Sequence, residues 1–170
     1  VRTCWEHTGQ RPGNRLRCAL AGCRSLSPET LHWAGEQGMG TLFFPALWDT
    51  LPGEDCWQMR TLSALGAHTA VGGLDTCDPF AHLARLCRRR DPETGEPSRE
   101  ALSREAALEA LTAGPAWLDF QEDFLGRLAP GYGADLLVLD RDIFSCPAEE
   151  LAETRPLLVM TAGGLALREI

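Results

Sequence analysis

Cys4-Trp5-Glu6-His7 sets a thiol and an imidazole three positions apart, a spacing that two zinc ligands could use, but no second pair follows it. Helix surface is the plainer reading. The remaining histidines, His32, His68 and His82, form no H-x-H or H-x-x-x-H pattern with His7 or with one another. All four therefore read as surface or packing residues on helices or loops rather than at strand ends. Ser27, Ser63 and Ser103 have no Gly-x-Ser-x-Gly elbow around them, so a serine-hydrolase triad is not supported. The run Arg88, Arg89 and Arg90 could hold a phosphate or carboxylate, yet solvent and a helix dipole already account for it. The glycines between Gly126 and Gly133 do not follow a strand and open a helix, and so read as turns rather than a dinucleotide loop.

Composition narrows the chemistry further. All 16 basic residues are arginine, against 24 acidic ones, for a net charge of -8. The absence of lysine removes Schiff-base, P-loop and carboxylated bridging lysines. An acidic chain repels phosphate backbones, which excludes nucleic acid as an expected partner. The seven cysteines (Cys4, Cys18, Cys23, Cys56, Cys77, Cys87 and Cys146) are odd in number and contain no CxxC pair, so reduced thiols in a cytoplasmic protein are expected. No apolar run is long enough to cross a bilayer. The sequence starts at Val1 rather than methionine, as a chain beginning inside a longer protein would.

With 170 residues and 44% hydrophobic content the chain can bury a core. Its first 24 residues suggest a frayed helix end and one short strand near Cys18 to Ala21. Ser27, Pro28 and Glu29 are a helix start, and Gly38 and Gly40 its stop. Thr41 to Phe44 reads as a buried strand closed by Pro45, Thr61 to Leu65 as a helical turn, and Thr69 to Val71 as a strand ending at Gly72 and Gly73. Asp78 and Pro79 open a helix with Phe80, Leu83, Ala84 and Cys87 on one face. Ser103 caps a helix through Ala113 whose stripe is Ala107, Leu108 and Leu111, ended by Gly114 and Pro115; a short helix starts at Pro115. Trp33, Trp48, Trp57 and Trp117 lack a period and read as core. After Gly126 the pattern becomes sheet: Ala134 to Leu139, Leu157 to Thr161, a two-residue turn at Gly163-Gly164, then Leu165 to Leu167.

Several of these segments carry a family likeness. Leu102-Ser103-Arg104-Glu105-Ala106-Ala107-Leu108, Thr112 to Pro115, Gly126-Arg127-Leu128-Ala129-Pro130-Gly131 and Ala134-Asp135-Leu136-Leu137-Val138-Leu139-Asp140 occur in that order. Val159-Met160-Thr161-Ala162-Gly163-Gly164 follows them. The set resembles the C-terminal part of metal-dependent amidohydrolases, with Asp140-Arg141-Asp142, Pro147 and Glu150 pointing to amidohydrolase family 3. The resemblance runs over about residues 15 to 168 and is strongest after position 70.

The fold it implies is α/β: the last strand-helix units of a (β/α)8 TIM-like barrel, incomplete in this chain, over 1–125, followed by strands of a small β-sandwich annex over 126–170. The activity it implies is metal-dependent hydrolysis of non-peptide C-N bonds in a small-molecule substrate, with a divalent metal, zinc first, polarising water. Asp75, in Gly72-Gly73-Leu74-Asp75, is similar to the family's metal-binding and catalytic aspartate at the end of strand eight. A carboxylate just past a strand's C-terminal end can hold a metal and take a proton from its water. The same residue also reads as an ordinary loop acid or a cap near Asp78. Arg15-Leu16-Arg17-Cys18-Ala19-Leu20-Ala21 is similar to the strand-six segment, with Leu20 at the place of a histidine ligand.

Two functions follow as alternatives. One is a C-terminal portion of a hydrolase, inactive alone, completed by a chain supplying the N-terminal half-barrel or by homo-oligomerisation. The other is a non-catalytic remnant or interaction subunit without bound metal, which Leu20, Leu74, the missing lysine and the missing His-x-His favour. In either case inner-facing Leu42, Phe44 and Val71 are expected to lie uncovered on an incomplete sheet.

Overall fold

The computed structural model describes residues 16–45, 57–73, 78–91 and 93–168. The expected helix end before Leu16, the Cys4-to-His7 pair, Trp48, Leu74 and Asp75 lie outside them. The order of elements is β1 (Ala19–Ala21), α1 (Pro28–Glu36), β2 (Gly40–Phe43), α2 (Met59–Ala64), β3 (His68–Val71), α3 (Pro79–Cys87), α4 (Arg104–Leu111), α5 (Ala113–Leu118), β4 (Leu136–Leu139), a 3-10 turn (Ala148–Glu153), β5 (Pro156–Thr161) and β6 (Gly164–Arg168).

Three helix starts lie where the sequence puts them, because short polar side chains satisfy the orphan amides of the first turn, whereas α2 and α5 start two residues earlier than expected and have no such cap. The Ser27 hydroxyl accepts from the Thr30 amide at 3.3 Å, Asp78 accepts from Phe80 and Ala81 at 2.9 and 3.1 Å, and Ser103 accepts from Ala106 at 3.2 Å. Helix ends differ more. Gly38, at φ +58, turns the chain out of α1, whereas Gly40 is no part of that stop. It is the first residue of β2, and its amide donates to the Cys18 carbonyl at 3.1 Å.

β1, β2 and β3 form a parallel sheet in that order, with Leu20 beside Thr41 and Phe43 beside Val71. Strand side chains alternate between faces, so this register decides what each face presents. Leu20, Phe43 and Val71 are buried in one cluster with Leu31, Trp33 and Ala34 of α1, Met59 and Leu62 of α2, and Leu83 and Leu86 of α3. Trp57 meets Phe43 edge-on, with ring centroids 6.5 Å apart. Each such aliphatic or aromatic side chain contributes about 1.5–3 kcal/mol on burial. Val71 is therefore not on the face expected for it. Leu42 and Phe44 are half-buried on the opposite side, and Val71 is carried with Phe43 to the helix side. The buried residues of α3 likewise include His82 and Leu86, with Phe80 and Cys87 only half-buried.

α5 crosses the other face at the N-terminal ends of the strands. A Cβ on Gly40 would overlap Leu118 and lie 3.3 Å from the Trp117 ring, and one on Gly114 would overlap the Thr69 carbonyl. That contact explains why Gly114 and Pro115, expected as the stop of the preceding helix, instead stand in the first turn of α5: helix and strand backbones touch there, and only glycine leaves room. Proline is tolerated in a first turn, where its missing amide costs no hydrogen bond.

The C-terminal strands form a separate antiparallel sheet, β4-β5-β6. Its hairpin turn is Ala162-Gly163 rather than Gly163-Gly164, since Thr161 pairs with Gly164 and both turn residues have positive φ, +49 and +76, as the twist of a two-residue hairpin demands. Asp135 accepts from the Ala162 amide at 2.6 Å and fixes this turn to the start of β4. Leu137, Val138 and Leu165 are exposed on the sheet. The 3-10 turn packs on α3 through fully buried Leu151, and Arg104 donates to the Ile143 carbonyl at 2.7 Å.

Gly114→Ala is predicted to lower unfolding free energy by roughly 1–3 kcal/mol through overpacking against β3. Denaturant titration checks this, and a loss within error of zero would mean that α5 does not press on Thr69.

Candidate functional site

Two places on the sheet could carry chemistry, one at each end of the strands. At the C-terminal ends, Phe44 lies over the sheet between two glycines. A Cβ built on Gly72 would stand 2.9 Å from its ring, and one on Gly22 3.8 Å from it. The ring occupies the room a side chain on Gly72 would take, whereas Gly22 is required by its positive φ of +63. Gly72-Gly73 then leads towards Asp75, which lies outside the described residues. Leu20, at the position likened to a histidine ligand, belongs to the helix-side core at 7% exposure. Its neighbours Ala19 and Ala21 are the exposed residues of β1.

The N-terminal ends hold a formed cavity of about 540 Å³, lined among others by His68, Glu109, Trp117, Glu122, Arg127 and Tyr132. Its central feature is a stack. His68 begins β3 and lies flat on Trp117 of α5, with centroids 3.7 Å apart and planes at 10°. The Arg17 guanidinium lies 4.8 Å from the Trp117 centroid and 4.2 Å from that of Phe120. Arg17 also donates to the Trp117 carbonyl at 2.6 Å and makes a two-pronged ion pair with Glu122. A fork-shaped cation suits both tasks, bridging a carboxylate while stacking on rings.

Charge follows geometry. The hydrogen bond from Arg17 holds the Glu122 carboxyl below its ordinary value. Desolvation, then the nearby Arg17 charge, pulls the His68 imidazole down against the opposing effect of Glu122 and Glu109. Burial pushes the Cys87 thiol up. The four described cysteines, Cys18, Cys23, Cys87 and Cys146, are not joined in disulfides.

The histidines divide. His32 is exposed on α1, its ring nitrogen 2.9 Å from the Pro28 carbonyl. His82 is a buried packing residue of α3 whose ring nitrogens have no hydrogen-bond partner among the described residues. His68 departs from expectation because it opens a strand. Sequence reasoning missed it and treated Trp117 as core. The arginine-aromatic contacts join positions 17, 117 and 120, a separation that no local period reveals. Among the described residues, no three His, Cys, Asp or Glu side chains converge as a metal site.

The sequence model of the Amidohydrolase family matches residues 32–165. The chain belongs to the amidohydrolase family. Solved structures share its fold. The zinc complex of an atrazine chlorohydrolase from Arthrobacter aurescens superposes with a TM-score of 0.69 at 21% identity, over 89% of this chain and 36% of that one. A metal-dependent hydrolase from Pyrococcus horikoshii gives 0.68 at 19% identity, over 86% and 32%. An amidohydrolase from Thermotoga maritima gives 0.59 at 19%, over 82% and 34%. This amidohydrolase-family chain thus spans about a third of the length of the structures it resembles. No curated protein matches its sequence. Among the described residues no helix is long and apolar enough to cross a membrane.

Arg17→Met is predicted to lower the melting temperature by roughly a few degrees and to flatten the acid limb of stability. Glu122 has a folded-state pKa below its unfolded value, so its pairing contributes stability above the unfolded value, about 4.5, that is lost as pH falls through the depressed folded one. Melting curves from neutral pH down to about pH 3 test this. An unchanged acid limb in the variant would refute the pairing.

Proposed function

We propose that this chain is the C-terminal portion of a metal-dependent hydrolase acting on non-peptide C-N bonds of small molecules, and that it is inactive without an N-terminal half. Residues 1–125 are then the last strand-helix units of a (β/α)8 barrel and 126–170 strands of a small β-sandwich. The observation that carries the reading is the family match over residues 32–165, joined to a sheet whose outer strands β1 and β3 each pair on one side only among the described residues. Parallel sheets are stable with both faces covered. Among the described residues α5 packs on the face of Leu42 and Phe44 at Gly40, Thr69 and Ala70, and Leu42 and Phe44 themselves are half-buried. The exposed apolar β4-β5-β6 sheet fits the same picture, as half of a sandwich.

The chain's contribution to the active site is Asp75, at the carboxyl end of the strands, where barrel chemistry is performed. The described residues do not by themselves make a metal centre, so the other ligands come from elsewhere in the polypeptide. A divalent metal bound there, zinc as in the similar structure from Arthrobacter aurescens, supplies Lewis acidity and an acidified water. With a metal bound, the Asp75 carboxylate would be a ligand and would take a proton from the activated water.

Leu20 favours a second reading, a non-catalytic remnant that keeps the fold. A hydrocarbon in the helix-side core offers no lone pair at the place likened to a histidine ligand. Elemental analysis of the natural full-length polypeptide separates the two. The hydrolase reading predicts stoichiometric divalent metal, with Asp75→Ala lowering metal occupancy and cutting hydrolysis by roughly 10²–10⁴-fold. Metal-free full-length protein without hydrolysis would leave the remnant, and hydrolysis unaffected by Asp75→Ala would overturn the role given to Asp75.

A further inference from the structure

The stack at the N-terminal ends of the strands has no part in that active site, and it adds to the Gly114-Thr69 backbone contact that already joins α5 to β3. Arg17 precedes β1, His68 opens β3, and Trp117 with Phe120 and Glu122 belongs to α5 and the turn after it. The backbone of His68 is pinned: its amide donates to the Met39 carbonyl at 2.9 Å and its carbonyl accepts from the Thr41 hydroxyl at 3.2 Å. What can respond to its surroundings is the ring. We propose that the His68-Trp117-Arg17-Phe120 stack is an acid-sensitive clasp, in which a proton on His68 puts a second cation on an indole that already holds Arg17 and loosens α5 and its following turn from the sheet.

The groups that face the imidazole set the balance. Arg17, on the approach to β1, opposes protonation. Glu122, in the turn after α5, and Glu109, on α4, favour it, but Glu122 is engaged by Arg17 and the Glu109 side chain is 67% exposed and turned towards Arg127. Asp123, Arg127 and Tyr132 complete the charged and polar wall of the cavity. Solvent screens the exposed members of that wall. Loss of water over one ring face, together with Arg17, therefore outweighs the carboxylates, and the imidazole takes its proton less readily than in an unfolded chain. A base of this kind contributes stability that is present above its unfolded pKa, about 6.5, and is lost as pH falls through the lower folded value. The clasp thus holds at neutral pH and yields as pH falls through the lowered folded value of His68. Because His68, Trp117 and Glu122 are also walls of the 540 Å³ cavity, its shape changes in the same pH window.

Proton NMR on the full chain tests this, with the His68 imidazole assigned by its loss in His68→Phe, a variant that keeps an aromatic on Trp117 but cannot titrate. The expected result is a His68 midpoint below about 6.5, the same midpoint in the Trp117 indole and α5 amide resonances, and no such midpoint in His68→Phe. Glu122→Gln, which removes a group favouring protonation, shifts the midpoint lower still. A His68 midpoint at or above 6.5, or an unchanged α5 titration in His68→Phe, would overturn the clasp. Should His68→Phe fail to fold, Glu122→Gln decides alone, since a midpoint that stays or rises contradicts the charge balance.

Discussion

The parallel register of β1, β2 and β3 governs what the rest of the chain must do. It turns Leu20, Phe43 and Val71 under α1, α2 and α3, and puts Leu42 and Phe44 on the opposite face, where α5 packs at Gly40 and Ala70. A one-residue slip would exchange these sets and expose the core, so the register is strongly specified. The starts of α1, α3 and α4 each have a reason of their own in Ser27, Asp78 and Ser103, yet the helices pack here because one sheet face is apolar and needs cover.

Functional organisation follows from the same sheet. Its two ends differ in kind. The carboxyl ends carry glycines, an aromatic floor and the approach to Asp75. The amino ends carry the cation-aromatic stack, which fastens α5 to the strands and shapes a cavity. Binding energy at the amino ends holds α5 on the sheet. The division is physical: an arginine between two rings and a carboxylate is a rigid tie, whereas at the other end the Phe44 ring packs over Gly72.

Much of this was legible in the sequence where the signal is local. Ser27, Asp78 and Ser103 cap helices because short acceptors before an apolar stripe do so in any context. The likeness of residues 102–164 to amidohydrolases anticipates the family, and the change to sheet after Gly126 anticipates β4 to β6. The misreadings come from contacts across the fold. Gly114 resembles a helix stop, and only the Thr69 carbonyl beside it shows why α5 carries it. Gly163-Gly164 resembles the turn, but pairing of Thr161 with Gly164 shifts it by one residue. Val71 was expected with Leu42 and Phe44, and strand register moves it to the other face. The His68 stack depends on residues a hundred positions apart, so neither spacing nor composition announces it. Asp75 rests on the family likeness, as it did in the sequence.

The central claim is that the three-stranded sheet is part of a larger closed one. Sedimentation velocity combined with thermal melting of the isolated 170-residue chain tests it most directly. The account predicts self-association through the open face and strand edges, or a broad, non-cooperative transition, because uncovered apolar surface and unpaired edges seek partners. A compact monomer that melts in one sharp cooperative step would contradict it and establish the three-stranded sheet as sufficient by itself.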